Sequence, residues 1–278
     1  MRKLYPLFLF FLFTFPAISF AEDQPLRLSW NKKILQIHGD SIPGGKIEIW
    51  YLEAYCRPGS TDRDWHETVI PHETKLVSSN NDGTQLQLKC TLEDGVELYH
   101  IIKSSTDEVA FQVKAHNPTK KKSQAHWAQP CMRVGAFTGY EDPADKYAYI
   151  QKSFVFLDDK LAMMPTTPWS TNARYIPGQV WAAPGVDRDD VNPRPLNEKT
   201  PSNGLIGCFS KDDSMILAMA WDPYQELFQG VIRCLHSDFR IGGLNPGETK
   251  MIHGKVYLLP NNVEGLLERY QNDFPKHE

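Results

Sequence analysis

Apolar and polar residues alternate along most of the chain, which is the pattern of β-strands with one buried face and one exposed face. Pairs and triplets that favour turns, such as Asn117-Pro118 and Asn245-Pro246-Gly247, separate the alternating segments. The segments predicted to be strands are residues 46–51, 85–92, 96–102, 109–115, 153–157, 215–221 and 250–258.

One helical pattern stands out, near the end of the chain. Asn261 or Asn262 can cap a helix over residues 263–270. The sequence therefore predicts an all-β fold, a large antiparallel β-sandwich with a short C-terminal helix. Residues 22–278 are expected to form a single domain, since all-β folds of about 200–250 residues often do. Two polar stretches, residues 57–72 and 165–201, are predicted to be loops, and long loops often carry function.

The first 21 residues have the features of a signal peptide. Arg2 and Lys3 precede an apolar run over residues 7–15, and Ser19-Phe20-Ala21 offers a cleavage site. The run is shorter than the roughly 18 apolar residues of a membrane span. We expect a secreted or periplasmic protein with no transmembrane segment after cleavage. The net charge of −4 argues against a nucleic-acid partner.

The cysteines are odd in number and lack a Cys-x-x-Cys pair. At most two disulfides can form, and buried free thiols are an equally good interpretation; the five are Cys56, Cys90, Cys131, Cys208 and Cys234. No nucleotide-binding motif is present, so no cofactor is predicted. His236, Asp238, Glu226 and His126 are usable metal ligands, but their spacing matches no standard site and no metal is predicted.

The densest group of proton-transfer residues lies near residue 236. If residues 231–239 are extended, Ile232, Cys234, His236 and Asp238 share one face. A carboxylate beside an imidazole orients the ring and stabilises its charged form, which suits general acid/base catalysis. His236 is the predicted base, oriented by Asp238; a structural ion pair is the alternative.

Other segments supply partners for this pair. His126 or Glu226 is the predicted acid. Trp127 and Trp181 offer stacking faces for sugar rings, and an arginine can hold a substrate carboxylate through two hydrogen bonds. The remaining predicted substrate-binding residues are Arg194, Arg240, Arg174, Asn192 and Gln229.

The turn Gly243-Leu244-Asn245-Pro246-Gly247-Glu248, followed by the predicted strand 250–258, resembles a feature of galactose mutarotase-like β-sandwiches. That group includes sugar epimerases and sandwich domains of polysaccharide lyases and glycoside hydrolases. The resemblance implies a carbohydrate ligand and a site with two histidines and a carboxylate, roles that His126, His236 and Glu226 can fill.

Three functions are compatible with these observations. The first is a secreted carbohydrate-active enzyme that works by acid/base chemistry, epimerase-like or lyase-like. The second is a non-catalytic glycan-binding β-sandwich with a flat aromatic face. The third is a secreted interaction protein. Imidazoles and carboxylates that converge in a cleft favour the enzyme.

Overall fold

In the computed structural model, residues 24–59, 63–145, 147–166, 179–191, 196–230 and 232–275 are described. They form mostly β-strands. The strands are β1 (Arg27–Asn31), β2 (Ile34–His38), β3 (Lys46–Cys56), β4 (Val69–Ile70), β5 (His72–Ser79), β6 (Gln85–Leu92), β7 (Glu97–Ser104), β8 (Glu108–His116), β9 (Trp127–Arg133), β10 (Ser153–Leu157), β11 (Lys160–Met163), β12 (Gln179–Ala182), β13 (Ile206–Phe209), β14 (Met215–Asp222), β15 (Tyr224–Gln229), β16 (Cys234–Arg240) and β17 (Thr249–Pro260). The helices are α1 (Trp65–Thr68), α2 (Gly135–Thr138) and α3 (Val263–Asp273), with 3-10 turns at Pro143–Asp145, Ala148–Lys152 and Arg188–Asp190.

The strands form two antiparallel sheets that pack face to face. The front sheet has the order β1-β2-β3-β9-β16-β15-β12, with β4 paired to β3. The back sheet has the order β11-β10-β13-β14-β17-β8-β7-β6-β5. The predicted all-β sandwich with a short C-terminal helix is confirmed.

All seven predicted strands are present, and two of them, β6 and β10, match to the residue. The largest difference is at β3, which continues to Cys56 because a bulge between Trp50 and Ala54 shifts its register. The register with β9 shifts by two residues there, Leu52 has a φ of 63°, and the irregularity interrupts the alternation that predicts a strand. The stretch 165–201, predicted to be a loop, contains the strand β12.

Four adjacent strands of the front sheet, from β9 to the edge strand β12, are buried on both faces. Nearly every residue of β9, β12, β15 and β16 is buried, so these strands do not alternate between apolar and polar residues. On their inner face, Leu235 and Phe239 belong to the core between the sheets, and Phe239 lies 4.7 Å from the Trp221 ring. Their outer face is therefore covered as well, and it carries polar groups.

Helix α3 covers the outer face of the back sheet. The Asn262 side chain accepts a hydrogen bond from the Gly265 amide at 3.0 Å, so Asn262 is the cap. Leu266 and Tyr270 are buried against apolar residues of β10, β14 and β17.

All five cysteines are buried free thiols. Of the two alternatives that the sequence allowed, disulfides or buried free thiols, the structure has the second. Across the described ranges, no helix combines the length and the apolar character that a bilayer-spanning segment requires.

Candidate functional site

The outer face of the front sheet carries the residues predicted to be functional. In β16, Cys234, His236 and Asp238 point outward, while Leu235 and Phe239 point into the core. The predicted shared face is present, but it is shorter than expected. Arg233 has a φ of 51° and breaks the extended conformation, and β16 begins only at Cys234. The preceding residue, Ile232, is 49% exposed rather than aligned with the buried histidine.

The neighbouring strands place more polar groups on this face. Asp238 is the register partner of Glu226 in β15. His236 is the partner of Phe228, and their rings stack with centroids 4.9 Å apart. On the other side, the register of β16 with β9 places Gln129 beside Asp238 and Trp127 beside Arg240.

His236 and Asp238 are side by side in a fully buried position. The His236 Nδ1 atom lies 3.7 Å from Asp238 Oδ1, and Nε2 lies 3.2 Å from the Cys234 sulfur. Burial disfavours the charged imidazole, but the adjacent Cys131 and Asp238 favour it, and together they raise the pKa of His236 well above its ordinary value. Burial also raises the pKa of Asp238, to about 6, against the opposing effect of His236.

A strip of buried polar side chains runs along β9 and β16 next to this pair. We call Trp127, Gln129 and Asp238 the front strip. Among the described residues, the Trp127 Nε1 donor, the Gln129 Oε1 acceptor and both Asp238 oxygens have no hydrogen-bond partner. More than nine-tenths of buried polar groups are normally paired. The front strip is therefore a place where groups of a ligand or of water belong.

Where the front strip reaches solvent, three side chains form a second group, the solvent-side cluster of His126, Asp190 and Arg240. The Asp190 Oδ2 atom lies 3.5 Å from His126 Nδ1 and 3.3 Å from Arg240 Nη1. The side chains of His126 and Arg240 are 22% and 27% exposed. Arg240 also donates to the Gln225 side chain, and the Gly59 amide donates to Asp190 at 2.9 Å.

The electrostatics of the solvent-side cluster keep Asp190 ionised. Burial opposes the charged carboxylate, but His126, the Gly59 amide and Arg240 stabilise it, and the net result is a lowered pKa of Asp190. An ionised carboxylate beside one ring nitrogen fixes the orientation of the His126 imidazole.

The backbone holds His126 firmly at the start of β9. Its amide donates to the Cys56 carbonyl at 2.8 Å, and its carbonyl accepts from the Ile241 amide at 2.7 Å. Gly243, with a φ of 73°, passes close to the ring, where a Cβ atom would lie 3.2 Å from His126 Nε2. A glycine is required there by both its conformation and its proximity to the imidazole.

Comparisons with known proteins give no named family. No protein-family model matches the chain, and no curated protein matches it. The chain is similar to the solved structure of the Slr1438 protein of Synechocystis sp. PCC 6803, with 9% sequence identity and a TM-score of 0.47; the match covers 88% of this chain and 99% of that one.

A galactose mutarotase-like protein from Lactobacillus casei is similar at 8% identity and a TM-score of 0.45, covering 84% of this chain and 99% of that one. The GH36 α-galactosidase AgaA of Geobacillus stearothermophilus is similar at 9% identity and a TM-score of 0.41, covering 75% of this chain and 31% of that one. These comparisons return the galactose mutarotase-like group that the sequence resembles, and the similarity is one of fold alone. At sequence identities and TM-scores this low, the similarity does not support an inference about activity.

The remaining predicted site residues are in different places. Trp181 points into the core between the sheets, and Gln229 lies opposite Leu235 and donates to the Tyr149 hydroxyl at 2.7 Å. Trp127 packs beside Trp65, and neither Trp127 nor Trp181 has an exposed face. The predicted residues Arg174, Asn192 and Arg194 lie outside the described residues.

Three site residues were not predicted from the sequence. Asp190 lies in a run of charged residues in which no single carboxylate stands out, and only its contacts with Arg240 and His126 identify it. Gln129 had a detectable signal, because it lies two residues after Trp127 and therefore shares its face in an extended segment. Gln225 enters the site through a bulge between Tyr224 and Glu226.

Proposed function

We propose that this chain is a carbohydrate-active enzyme that transfers protons to and from a sugar at the outer face of the front sheet, in an epimerase-like reaction. The observation that carries the proposal is the solvent-side cluster beside the front strip. A histidine held by an ionised aspartate reaches solvent, and next to it lie buried polar atoms that have no partner within the described chain.

A polyhydroxylated ligand suits the front strip chemically. The Asp238 oxygens and Gln129 Oε1 require hydrogen-bond donors, whereas Trp127 Nε1 requires an acceptor. Each sugar hydroxyl supplies both a donor and an acceptor. Successive residues on one face of a strand are about 7 Å apart, so Arg240 and Asp238 are spaced for one or two sugar rings.

His126 is the proposed group that exchanges protons with the sugar. Its ring is 22% exposed and paired with Asp190, whereas His236 is 1% exposed. Ring opening of an aldose, or removal of a proton beside a carbonyl, needs one group to accept a proton while another donates. We assign proton acceptance to His126 and the binding of a sugar oxygen or carboxylate to Arg240, because both side chains reach solvent. The earlier prediction that His236 is the base stays untested.

We also propose that the protein acts in the periplasm or outside the cell. This rests on the signal-peptide pattern of residues 1–21. Mass spectrometry of the mature chain tests it: we expect an N-terminus at Glu22, and an intact N-terminus in the exported fraction would contradict it.

The function is tested by a screen of aldoses and uronic-acid oligosaccharides. Anomer exchange is followed by nuclear magnetic resonance, and β-elimination by the ultraviolet absorbance of the unsaturated product. With a substrate in hand, His126→Gln should lower kcat by about 10²–10⁴-fold, and Asp190→Asn should give a smaller loss. His116→Gln is the matched control, because His116 lies on the back sheet and hydrogen bonds to Thr249.

Two outcomes would count against this proposal. If no sugar in the screen binds or reacts, the carbohydrate assignment fails. If a sugar binds saturably but the wild-type chain does not turn it over, the glycan-binding alternative replaces the enzyme.

A further inference from the structure

The buried end of the outer face carries three side chains of the kind that bind transition metals. Cys234 and His236 point outward from β16, and the register of β16 with β9 places Cys131 beside His236. Their ligand atoms all lie within 4.8 Å of one another, and all three residues are buried. No role for these cysteines could be predicted from the sequence, because Cys131 and Cys234 lie far apart along the chain and are brought together only by the sheet.

The spacing agrees with a shared ion. Zinc bonds of about 2.3 Å to sulfur and 2.0 Å to nitrogen, at a tetrahedral angle, place the two ligand atoms about 3.5 Å apart. The observed distance from Cys234 Sγ to His236 Nε2 is 3.2 Å. A modest outward movement of either side chain brings the pair to the distance of a zinc site.

Gly230 packs directly against the two ligand atoms of β16. A Cβ atom on Gly230 would lie 3.0 Å from His236 Nε2 and closer still to the Cys234 sulfur. Gly230 is held in place because its carbonyl accepts hydrogen bonds from the Tyr149 hydroxyl and the Gln229 side chain. Any larger residue would displace the cysteine or the histidine from these positions.

The other nitrogen of the histidine faces a carboxylate. His236 Nδ1 has no hydrogen-bond partner among the described residues, and the nearest charged group is Asp238 at 3.7 Å. Histidines that bind metals usually donate their second ring N–H to a carboxylate or a carbonyl, which fixes the ring tautomer and orientation. Asp238 is placed for that role, and its negative charge favours a bound cation.

From these observations we propose that Cys131, Cys234 and His236 Nε2 bind one thiophilic divalent cation of the zinc class, with Asp238 orienting the histidine. Two thiolates and a neutral imidazole suit Zn²⁺, whereas a harder ion such as Mg²⁺ or Ca²⁺ takes oxygen ligands. The site shares Asp238 with the front strip, but its three ligands lie outside the solvent-side cluster, so metal binding can be measured without a sugar.

The test uses the whole mature chain, stripped with a chelator and titrated with Zn²⁺ against a chromophoric competitor. We expect one Zn²⁺ per chain and a rise in Tm on binding that the chelator reverses. Co²⁺ should bind at the same site and give a thiolate-to-cobalt charge-transfer band, which reports sulfur ligation directly. A chain that binds neither ion, or whose Co²⁺ spectrum lacks this band, would overturn the proposal.

Variants locate the site. Cys131→Ser should weaken Zn²⁺ binding by more than 100-fold, and Asp238→Asn by about 10–100-fold, as for other residues that orient a ligand. Cys90→Ser is the matched control, since Cys90 is a buried thiol of the back sheet that hydrogen bonds to Thr74 and a serine keeps that bond. If Cys131→Ser does not fold, Asp238→Asn and the metal-induced Tm shift of the wild-type chain still decide the question.

Equal Zn²⁺ affinity in Cys131→Ser and Cys90→Ser would rule out the assignment. The assignment is also ruled out if the folded, metal-free chain binds no Zn²⁺ and iodoacetamide alkylates Cys234. That result would identify Cys234 as a nucleophilic thiol instead.

Discussion

The most quantitative prediction concerns His100, a buried histidine that links the two sheets. It lies on β7 of the back sheet, and its ring meets two tyrosines of β3: the Tyr51 hydroxyl is 2.9 Å from Nδ1, and the Tyr55 hydroxyl is 3.3 Å from Nε2. A neutral imidazole has one donor and one acceptor, so one tyrosine donates to it and the other accepts. Protonation would leave one hydroxyl facing a second donor.

Burial, with a smaller contribution from His72, lowers the pKa of His100 from 6.5 to about 3. The unfolded chain therefore takes up a proton below pH 6.5, while the folded chain does not until the pH is near 3. The stability that neutral His100 provides is complete above pH 6.5 and is lost as the pH falls toward 3. At about 1.4 kcal/mol per pKa unit, the loss at pH 5 relative to pH 8 is about 2 kcal/mol.

The assay is urea unfolding of the wild-type chain and His100→Asn at pH 8 and pH 5, followed by circular dichroism. Asparagine removes the titrating group, so the difference in free energy of unfolding between the two proteins should shrink by about 2 kcal/mol at the lower pH. His116→Asn is the matched control, since it removes a histidine from a more exposed site on the same sheet. If the free energies of unfolding of the wild type and His100→Asn differ by the same amount at both pH values, the reasoning is refuted.

Two further predictions concern single contacts of the fold. Asn262→Ala removes the cap of α3 and should lower the free energy of unfolding, measured in urea, by about 1 kcal/mol, while Asn262→Asp should keep most of that free energy. If the free energy of unfolding of Asn262→Ala equals that of the wild type, the cap contributes nothing to stability. Gly254→Ala would place a Cβ atom within 2.6 Å of the Trp221 indole. The overpacking should lower Tm by the equivalent of about 1–3 kcal/mol. If Tm and Trp fluorescence are both unchanged, this packing is contradicted.

The strands that are buried on one face could be predicted from the sequence, because alternation is the direct mark of such a strand. Residues 85–92 were predicted to the residue as β6, in which every second residue is buried. Residues 153–157 were also predicted to the residue, although β10 is buried throughout. The strands β12 and β15 could not be predicted in this way, since both of their faces are buried and their sequences do not alternate. Most site residues lie on β9 and β16, and β15 adds Gln225, which accepts a hydrogen bond from Arg240.

In the candidate site, a contact within one strand could be predicted from the sequence, whereas contacts between distant segments could not. The shared face of His236 and Asp238 could be inferred from their spacing on one strand, and the structure places them 3.7 Å apart. The contact between His126 and Asp190 could not, because it joins the start of β9 to a 3-10 turn and depends on tertiary structure. The meeting of Cys131 with Cys234 depends likewise on the register of β9 with β16.

The central claim is that the solvent-side cluster transfers protons to and from a sugar. Its most direct test is the turnover of a sugar substrate by His126→Gln beside the control His116→Gln, with circular dichroism confirming that both fold. We predict that His126→Gln loses about 10²–10⁴-fold in kcat while KM changes little and the control keeps wild-type turnover. A folded His126→Gln protein with wild-type kcat would contradict the claim.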